Sequence, residues 1–423
     1  MTSSMPLVGS DYKPMKVIIV SDYAMVNGGA GKVALESANA LADVVEHVTI
    51  FASIGEPASF LLDKPNLTVL SLGQRKVTEQ SHQRSIIGGL WNKEAQRRFS
   101  KLLGSHDPKD TVIHIHSWRD GLTLSFMPTI LKRGFKFVFT VHDYGLVCPL
   151  AGFYNHRTKQ ICTHKGLGVG CLRTSCTEGS FLKKNWFVAR HFLQVHRAHM
   201  PAKLKHLIVI GETTKRVMQP YLNADTTVHM VPNFTDVAPG ERIQAERNRT
   251  YAYVGRFSPE KDPVTAALAT HLTGVPIMFI GTGPLVDEIR FANPDAQMKG
   301  WRKSSEVKEL LSTARGIIFP SVWYEGQPLV IDEAAALGLP VIVTSSSAAK
   351  DAVESYRHGL TFEAGNVDAL VRRIKEFEHD DVVESFSRAG YENFWRNPTT
   401  MNAHVQTLLK VYEEVLSDLS STI

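Results

Sequence analysis

The chain has 423 residues, of which 43% are hydrophobic and 21% charged, a balance typical of a globular protein with two or three domains. No stretch reaches the roughly 20 consecutive apolar residues that cross a bilayer. The first ten residues lack the basic and apolar segments of a signal peptide. We therefore expect a cytoplasmic location.

The net charge of +5 is spread unevenly along the chain. Residues 151–210 hold ten Lys or Arg residues and a single acidic residue, Glu178. Such a block can attract nucleic acid, an anionic membrane surface or a phosphorylated acceptor, and it can equally be a solvated face. Residues 181–193 are basic, aromatic and helical in period, so they fit either a packed helix, which we favour, or a segment resting on a membrane. We expect no nucleic-acid partner.

Short apolar runs alternate with longer helical patterns, which is typical of β-α units on parallel sheets. A first series of apolar runs ends at 207–210, the expected last strand of the first sheet, and 228–233 leads into a polar connection that extends to residue 249. The runs of the first series are 16–22, 48–51, 111–116, 136–142 and 207–210. Those of the second series are 251–254, 277–280, 316–319 and 341–343. Residues 401–419 form an amphipathic helix with one apolar face, made of Leu408, Val411, Tyr412 and Val415.

The first candidate site is the glycine loop Asn27-Gly28-Gly29-Ala30-Gly31, between the first strand and the next helix. Glycines let backbone N–H groups approach an anion, and the helix N-terminus adds a favourable dipole. The spacing matches neither the dinucleotide fingerprint nor the P-loop. A phosphate-binding loop and a plain tight turn therefore both stay open.

The second candidate site follows the first strand of the second series, at Gly255-Arg256-Phe257-Ser258-Pro259-Glu260-Lys261. Arg256 and Lys261 stand five positions apart on a loop that leads into a helix. A planar guanidinium and a compact ammonium could hold a diphosphate from two sides. Ordinary surface ion pairs would use the same residue types.

The third and most specific candidate follows the strand at 316–319. Glu325 stands on a glycine-containing loop, and Glu333 stands eight positions later, about two turns into the predicted helix. Carboxylates there can accept hydrogen bonds from sugar and ribose hydroxyl groups. The loop and the helix start add further candidate contacts at Gly326, Gln327, Pro328 and Leu329.

With these motifs the chain resembles the retaining glycosyltransferases of family 4. The segment from Glu325 to Glu333 is similar to the Glu-x7-Glu signature of that family. Further matching segments stand in the expected order within 16–375, namely Asn27-Gly28-Gly29, Val231-Pro232-Asn233, Val254-Gly255-Arg256 and Ile280-Gly281-Thr282-Gly283-Pro284. The resemblance implies an α/β GT-B fold, in which two Rossmann-like β-α-β domains face each other across a cleft and a C-terminal helix returns to the N-terminal domain.

The resemblance also implies roles for single residues in the C-terminal domain. Arg256 and Lys261 would hold the donor diphosphate. Glu333 would bind the ribose hydroxyl groups, and Glu325 the hydroxyl groups of the transferred sugar. The loop 345–351 departs from the glycine-containing turn that is frequent in the family, which puts donor-sugar contacts of this loop in doubt.

The N-terminal domain contributes three further residues by the same resemblance. Gly28 and Gly29 would offer backbone N–H groups to the phosphates. His142, within Thr140-Val141-His142-Asp143-Tyr144, corresponds to a histidine that approaches the donor sugar. Closure of the two domains would bring Gly29 and His142 against the C-terminal donor site.

The chemistry follows from the charge that develops when a glycosyl–phosphate bond breaks. Arg256 and Lys261 are expected to stabilise the negative charge on the leaving diphosphate. No Asp-x-Asp motif stands beside the donor motifs, so we expect a reaction without a metal ion. The resemblance implies front-face attack with retention of configuration rather than the carboxylate nucleophile of retaining hydrolases.

All four cysteines of the chain fall in one excursion of the N-terminal domain, 148–176. They are Cys148, Cys162, Cys171 and Cys176. Four thiolates could bind one structural zinc ion and stabilise the excursion. The gaps between them are wider than the usual two-residue spacing, so ordinary buried thiols stay open as the alternative.

These observations predict an acceptor-side domain over 1–235, a nucleotide-sugar-binding domain over 236–396 and a returning helix over 397–423. The predicted activity transfers a hexose-type sugar from a UDP- or GDP-sugar to a glycan or lipid-linked glycan, in surface polysaccharide biosynthesis. The chain would act in the cytoplasm, with peripheral contact at the inner face of the membrane. A non-catalytic protein that binds nucleotide sugars is the alternative, whereas epimerases and phosphorylases lack this combination of motifs.

Overall fold

A computed structural model describes residues 15–76, 87–178 and 180–418. Strands in the N-terminal half are β1 (Lys16–Tyr23), β2 (His47–Ile54), β3 (Leu67–Gln74), β4 (Thr111–Ile115), β5 (Lys136–Thr140), β6 (Tyr154–Asn155), β7 (Gln160–Ile161), β8 (His206–Val209) and β9 (Thr227–Met230). Those in the C-terminal half are β10 (Thr250–Val254), β11 (Ile277–Ile280), β12 (Gln297–Gly300), β13 (Ala314–Phe319), β14 (Val341–Thr344) and β15 (Gly359–Phe362).

Helices connect the strands in both halves. In the N-terminal half they are α1 (Gly29–Leu41), α2 (Lys93–Leu102), α3 (Met127–Arg133), α4 (Val169–Arg173), α5 (Phe181–His196) and α6 (Glu212–Met218). In the C-terminal half they are α7 (Pro263–Thr273), α8 (Val286–Ala292), α9 (Ser304–Leu311), α10 (Leu329–Leu337), α11 (Ala349–Tyr356), α12 (Val367–Glu376), α13 (Asp380–Arg396) and α14 (Met401–Ser417). No helix of the described ranges has the length and apolar character needed to span a bilayer.

The strands form two parallel sheets, as the sequence predicts. One sheet has the order β3-β2-β1-β4-β5-β8-β9 and the other the order β12-β11-β10-β13-β14-β15. In each sheet the order reverses beside the first strand, between β1 and β4 and between β10 and β13. Open α/β sheets bind ligands at the carboxyl ends of the strands at such reversal points. Two Rossmann-like domains are therefore present, each with one preferred ligand edge.

The central strand β1 shows why these segments become parallel strands. Val17 and Ile19 belong to the apolar core on one face of the sheet, and Ile18 and Val20 to the core on the other. All four side chains are buried. A continuous apolar run is what a strand covered on both faces requires. Gly28, with φ 85°, precedes α1 and turns the chain from the sheet into that helix.

The C-terminal helix α14 packs on the N-terminal domain. Its predicted apolar face is buried against α1 and the first sheet, through Leu408, Val411, Tyr412 and Val415. The Tyr412 hydroxyl also lies 2.6 Å from Nδ1 of His114 on β4. The returning helix is therefore confirmed.

The chain passes between the two domains twice, and the two passages touch. Thr235 donates its backbone N–H to the carbonyl of Thr399 at 2.8 Å, and the two hydroxyl groups are also 2.8 Å apart. The predicted boundaries at 235/236 and 396/397 fall next to this contact. The precise boundaries stay a prediction.

Several strands differ from the prediction. The run at 207–210 is not the last strand of the first sheet, because β9 extends that sheet by one more strand. The apolar pattern also missed β3, β12 and β15. β3 and β12 are edge strands with exposed and half-buried residues along their length, so they lack the uninterrupted apolar run of a central strand.

Candidate active site

Loops from both domains meet in a cavity of about 130 Å³ between the carboxyl ends of the two sheets. Six of the predicted site residues line it, on loops after β1, β5 and β13. The complete lining is Gly29, Ala30, His142, Asp143, Tyr144, Ala151, Ile210, Asn233, Trp323, Glu325, Gly326, Gln327 and Leu329. The structure thus brings Gly29 and His142 of one domain next to Glu325 of the other.

Glu325 is the most constrained residue of this cavity. Its backbone has φ 56°, a left-handed conformation that costs a non-glycine residue about 1–3 kcal/mol and is frequent at functional sites. Its side chain is buried, and Oε1 accepts hydrogen bonds from Lys261 Nζ and from Ser321 Oγ, each at 2.5 Å. The carboxylate is therefore fixed at the cavity wall by one cation and one hydroxyl group.

The two predicted cations differ in their surroundings. Lys261 is mostly buried, pairs with Glu325 and lies over the ring of Trp323 at 5.4 Å. Arg256 is 70% exposed in its side chain, and its Nη2 lies 3.1 Å from Oε1 of Glu260. Arg256 lines a second cavity of about 410 Å³, which shares Trp323 with the first. An exposed guanidinium with one partner can exchange it for a phosphate oxygen.

Glycines allow the loops after β10 and β11 to touch. A Cβ on Gly281 would lie 1.9 Å from the carbonyl oxygen of Gly255, and Gly281 has φ 145°, so only glycine fits there. Gly255 shapes the loop that carries Arg256. The other six predicted residues lie outside the lining of the first cavity: Gly28, Gly255, Arg256, Lys261, Pro328 and Glu333. Pro328 lines a third cavity, of about 210 Å³, together with Gln327.

Glu333 lies just over one turn into α10 rather than two, because the helix begins at Leu329. Its side chain is half-buried, and burial raises the pKa of its carboxyl group. Lys32 and Lys308 oppose that rise in pKa, which places their positive charges near the carboxylate. Lys32 comes from α1 of the other domain, and sequence analysis did not predict this proximity.

His142 is half-buried and stands beside two buried histidines, His114 and His116, at the carboxyl end of the first sheet. Its Nε2 lies 2.9 Å from Nδ1 of His116, and the two rings are stacked. Burial, with a smaller effect of His404, lowers the pKa of His142 to about 4, so the imidazole is neutral at pH 7. Burial also lowers the pKa of His116 well below its usual range. Sequence analysis missed His116, because its place beside His142 depends on β4 and β5 being neighbours in the sheet.

The two domains touch directly at the cavity. Tyr144 donates from its hydroxyl group to the carbonyl of Glu325 at 2.8 Å, and the side-chain oxygen of Gln327 accepts from the backbone N–H of Asn233 at 2.7 Å. A Cβ on Gly326 would lie 3.1 Å from the carbonyl oxygen of His142, so glycine permits this close approach. The domains are therefore in contact around the predicted site.

Two further lining residues have unused hydrogen-bonding atoms. Trp323 Nε1 and Asn233 Oδ1 are buried and have no hydrogen-bond partner among the residues that the structure describes. Buried polar atoms without partners are rare, and at a cavity wall they are available to a ligand. Sequence analysis did not predict a role for either side chain. Both residues stand in motifs in which other residues were considered.

The predicted zinc site is not upheld. All four cysteines are free thiols, and burial raises the pKa of Cys148 and Cys176. In the ranges that the structure describes, no group of three or more His, Cys, Asp or Glu side chains is arranged to hold a metal ion. The excursion is fixed by the buried ammonium of Lys184 instead, which donates to the carbonyls of Cys171 and Thr174.

The basic block presents an apolar surface near the start of α5. Phe181 and Leu182 are exposed at 50% and 78%, and Phe192 further along the helix is exposed as well. Val169 and Leu172 on α4 are also exposed. The predicted packing of this helix holds for one face only, since Lys184, His191 and Gln194 are its buried residues.

Comparison with known proteins agrees with this architecture. Residues 239–393 match the family model described as "Glycosyl transferases group 1". The UDP-Gal:alpha-D-GlcNAc-diphosphoundecaprenol alpha-1,3-galactosyltransferase of Escherichia coli is 25% identical over 209 residues, which are 43% of this chain and 53% of that protein. The chain therefore matches about half the length of that relative.

Solved structures match almost the whole chain at low identity. Sucrose-phosphate synthase from Thermosynechococcus elongatus superposes with a TM-score of 0.70 at 15% identity, covering 95% of this chain and 99% of that one. Anabaena Alr3699/HepE in complex with UDP-glucose superposes with a TM-score of 0.62 at 15% identity, covering 96% and 100%. The fold is thus the GT-B fold, as expected.

Proposed function

We propose that the chain is a retaining glycosyltransferase that uses a nucleoside-diphosphate sugar. The observation that supports this most is the interdomain cavity, where Gly29 and His142 face a Glu325 carboxylate fixed by Lys261. The family match over 239–393 falls on the domain that supplies Glu325 and Lys261. The predicted boundaries 1–235, 236–396 and 397–423 are part of the proposal, with nucleotide-sugar binding assigned to the middle one.

The donor diphosphate would lie between the loop of Arg256 and Lys261 and the N-terminus of α1. Arg256 would exchange its ion pair with Glu260 for a contact with a phosphate. Lys261 would contact both Glu325 and the leaving diphosphate. Glu333, at the first turns of α10, would accept hydrogen bonds from the ribose. Lys32 is close enough to Glu333 to affect its pKa, so it would reach the donor from the opposite domain.

Sugar transfer would then proceed on one face of the ring. The leaving diphosphate gains negative charge as the glycosidic bond breaks, and the two cations stabilise it without a metal ion. The neutral His142 can donate or accept a hydrogen bond at the nitrogen that His116 does not use, which suits positioning of the sugar. The acceptor hydroxyl group attacks from the side of the leaving group and passes its proton to the departing diphosphate oxygen, so configuration is retained.

The acceptor is proposed to be a glycan, free or lipid-linked, in surface polysaccharide biosynthesis. The Escherichia coli relative is named for transfer to a diphosphoundecaprenol-linked sugar. The exposed Phe181, Leu182 and Phe192 stand among the cations of the basic block, a combination that favours peripheral contact with an anionic membrane. The proposed location is accordingly the cytoplasmic face of a membrane.

A nucleotide-binding screen tests the proposal. UDP, GDP and ADP are titrated calorimetrically into the wild type and into the Arg256→Ala/Lys261→Ala variant. We expect micromolar binding of one nucleotide and at least a tenfold loss in the variant, because both cations contact the diphosphate. An Arg388→Ala variant, which removes an exposed arginine paired with Glu384 on α13, is the matched control and should bind normally. Absence of binding to all three by folded protein would overturn the donor site.

A further inference from the structure

A second group of charged residues lies at the reversal point of the first sheet. Asp22 stands at the carboxyl end of β1, and its carboxylate accepts backbone N–H groups of Asp120, Gly121 and Leu122 at 2.7–2.9 Å. These residues follow β4, so one buried carboxylate ties the two neighbouring strand ends together. The edge where an open α/β sheet binds its ligand is thereby held in a fixed shape.

Two arginines face this edge without a carboxylate partner. Arg119 donates to the carbonyl of Pro149 at 3.0 Å, and Arg190 on α5 donates to the carbonyl of Trp118 at 3.4 Å. Neither guanidinium forms a carboxylate ion pair within 4.0 Å among the described residues. Both side chains are half-buried. The contact of Arg190 with the Trp118 carbonyl places it beside Arg119, the next residue of the chain. Burial and, to a smaller extent, the Arg119 charge lower the pKa of Arg190 to about 10, and the charges of Asp22, Asp120 and Asp143 oppose that shift.

Both guanidinium groups are held in place by packing. Arg119 lies against the backbone of Gly145, where a Cβ would come within 2.6 Å of its Cδ. Gln194, one turn after Arg190, donates to the carbonyls of Gly145 and Leu146 at 3.1 and 3.0 Å and fixes α5 to the loop after β5. The positions of the two arginines are therefore built into the fold rather than adopted at a free surface.

The neighbouring carboxylates are already engaged. Asp120 accepts the hydroxyl proton of Tyr23 at 2.6 Å, and Asp143 accepts the N–H of Gly145 at 2.7 Å. Lys76 lies over the ring of Tyr23, 5.4 Å from its centre. Because these carboxylates already have hydrogen-bond donors, an anion can take the remaining N–H groups of the two arginines.

We propose that Arg119 and Arg190 bind the diphosphate of the acceptor, next to the donor cavity. Asp143 connects the two sites, since it lines the cavity and anchors the loop on which Arg119 packs. Paired guanidinium groups match phosphate oxygens in geometry and charge. Arg190 stands on the same helix as the exposed Phe181 and Leu182, so a diphosphate attached to a membrane lipid would reach it along α5. The inference rests on the proposed function, because it names the acceptor class of the same reaction.

The test uses farnesyl diphosphate, inorganic pyrophosphate and farnesol as probes. All are titrated into full-length protein that has Arg256→Ala/Lys261→Ala, which removes the donor diphosphate site as a competitor. Adding Arg119→Gln/Arg190→Gln should lower the affinity for farnesyl diphosphate at least tenfold and leave any binding of farnesol unchanged. Equal affinity with and without the two arginines would overturn the proposal. Pyrophosphate that binds as tightly as farnesyl diphosphate would show a free phosphate site and would overturn the lipid-linked acceptor.

Two controls separate this outcome from misfolding and from failure of the proposed function. Arg97→Gln/Arg98→Gln on α2 removes two arginines that pair with Glu94 at the surface, and it should leave the affinity unchanged. Arg119→Lys/Arg190→Lys keeps the charge and should recover part of the affinity if the wild-type site is intact.

Nucleotide binding should be the same with and without Arg119→Gln/Arg190→Gln when the donor cations are present. Loss of nucleotide binding there would contradict separate sites, whereas a wild type that binds farnesyl diphosphate but no nucleotide would contradict only the proposed donor.

Discussion

Glu325 combines backbone strain with an ion pair at the wall of the cavity. Its φ of 56° turns the carboxylate back toward Lys261 and Ser321, and the same turn lets its carbonyl accept from Tyr144 of the other domain. One strained residue therefore connects the donor loop, the cation and the opposite domain. Strain of this kind persists only where surrounding contacts hold it.

Replacing Glu325 by Gln keeps the shape of the side chain and removes its charge. We expect kcat/KM for sugar transfer to fall roughly 100-fold, the size of effect seen when one preorganised electrostatic group is lost. Nucleotide affinity should change less than fivefold, because the phosphates contact Arg256 and Lys261. Glu354→Gln, an exposed residue paired with Lys350, is the control. A fall in kcat/KM no greater than that of the control would contradict a role for Glu325 at the sugar.

The site residues that could be predicted from the sequence each stand within a short recognisable motif. Lys261 and Glu325 both stand at strand ends within recognisable segments, and they form an ion pair in the structure. His116 and Lys32 could not be assigned in this way. Their importance depends on which strand lies beside β5 and on how α1 faces α10, and neither follows from local sequence.

Helix α14 joins the C-terminal end of the chain to the N-terminal domain. It packs against α1 and the first sheet, and its Leu408 is fully buried there. The helix therefore restrains the domain that would bind the acceptor. Its pattern of apolar residues was readable because a helix of 17 residues repeats the same face four times over.

Truncating Leu408 to Ala should lower the free energy of unfolding by about 2–5 kcal/mol, since a buried leucine leaves a cavity behind. Lys410→Ala on the exposed face of α14 should change it by less than about 0.5 kcal/mol. Urea unfolding followed by tryptophan fluorescence measures both. A Leu408→Ala variant as stable as Lys410→Ala would mean that α14 does not pack where the structure has it.

The edge strands show the limit of pattern reading for this fold. β3 alternates buried, half-buried and exposed positions, and β12 has no fully buried residue. Their membership of the sheets is decided by pairing with β2 and β11. Such pairing depends on the tertiary structure. These two strands therefore form without the apolar run by which a strand is predicted from sequence.

Across the whole molecule, buried titratable groups link stability to pH in both directions. Burial lowers the pKa of His358 to about 4 and raises the pKa of Asp22 and Asp332 to about 6. Between pH 6.5 and 4 the histidine is protonated in the unfolded chain but not in the folded chain. Its contribution to the free energy of unfolding therefore decreases as pH falls. The two aspartates bind a proton at a higher pH in the folded chain than in the unfolded chain. Their contribution to the free energy of unfolding therefore increases as pH falls.

A His358→Gln variant isolates the histidine contribution. Between pH 7 and pH 5 the wild type should lose about 2 kcal/mol more unfolding free energy than the variant, from the difference between the folded pKa and 6.5. Urea titrations at the two pH values measure this difference. His271→Gln, an exposed position on α7, should follow the wild type. Parallel pH dependence of His358→Gln and the wild type would contradict a neutral buried imidazole.

The two domains meet around the cavity that Gly29, His142 and Glu325 line, and the proposed transfer needs this contact between them. Contacts such as Thr213 with the carboxylate of Asp351, at 2.7 and 3.0 Å, hold the domains together beside the cavity. The Glu325 carboxylate of one domain, which is paired with Lys261, and the neutral His142 of the other line the same cavity. The front-face transfer with retention that we propose would use these groups.

The stereochemistry of the transferred sugar tests that central claim most directly. The protein is incubated with the sugar donor of the nucleotide it binds, and the first product is followed by proton NMR before mutarotation. Our account predicts release of the nucleoside diphosphate and a product with the anomeric configuration of the donor, both abolished in Arg256→Ala/Lys261→Ala. A product of inverted configuration, or no turnover by protein that binds the nucleotide sugar and a lipid-linked acceptor, would contradict it.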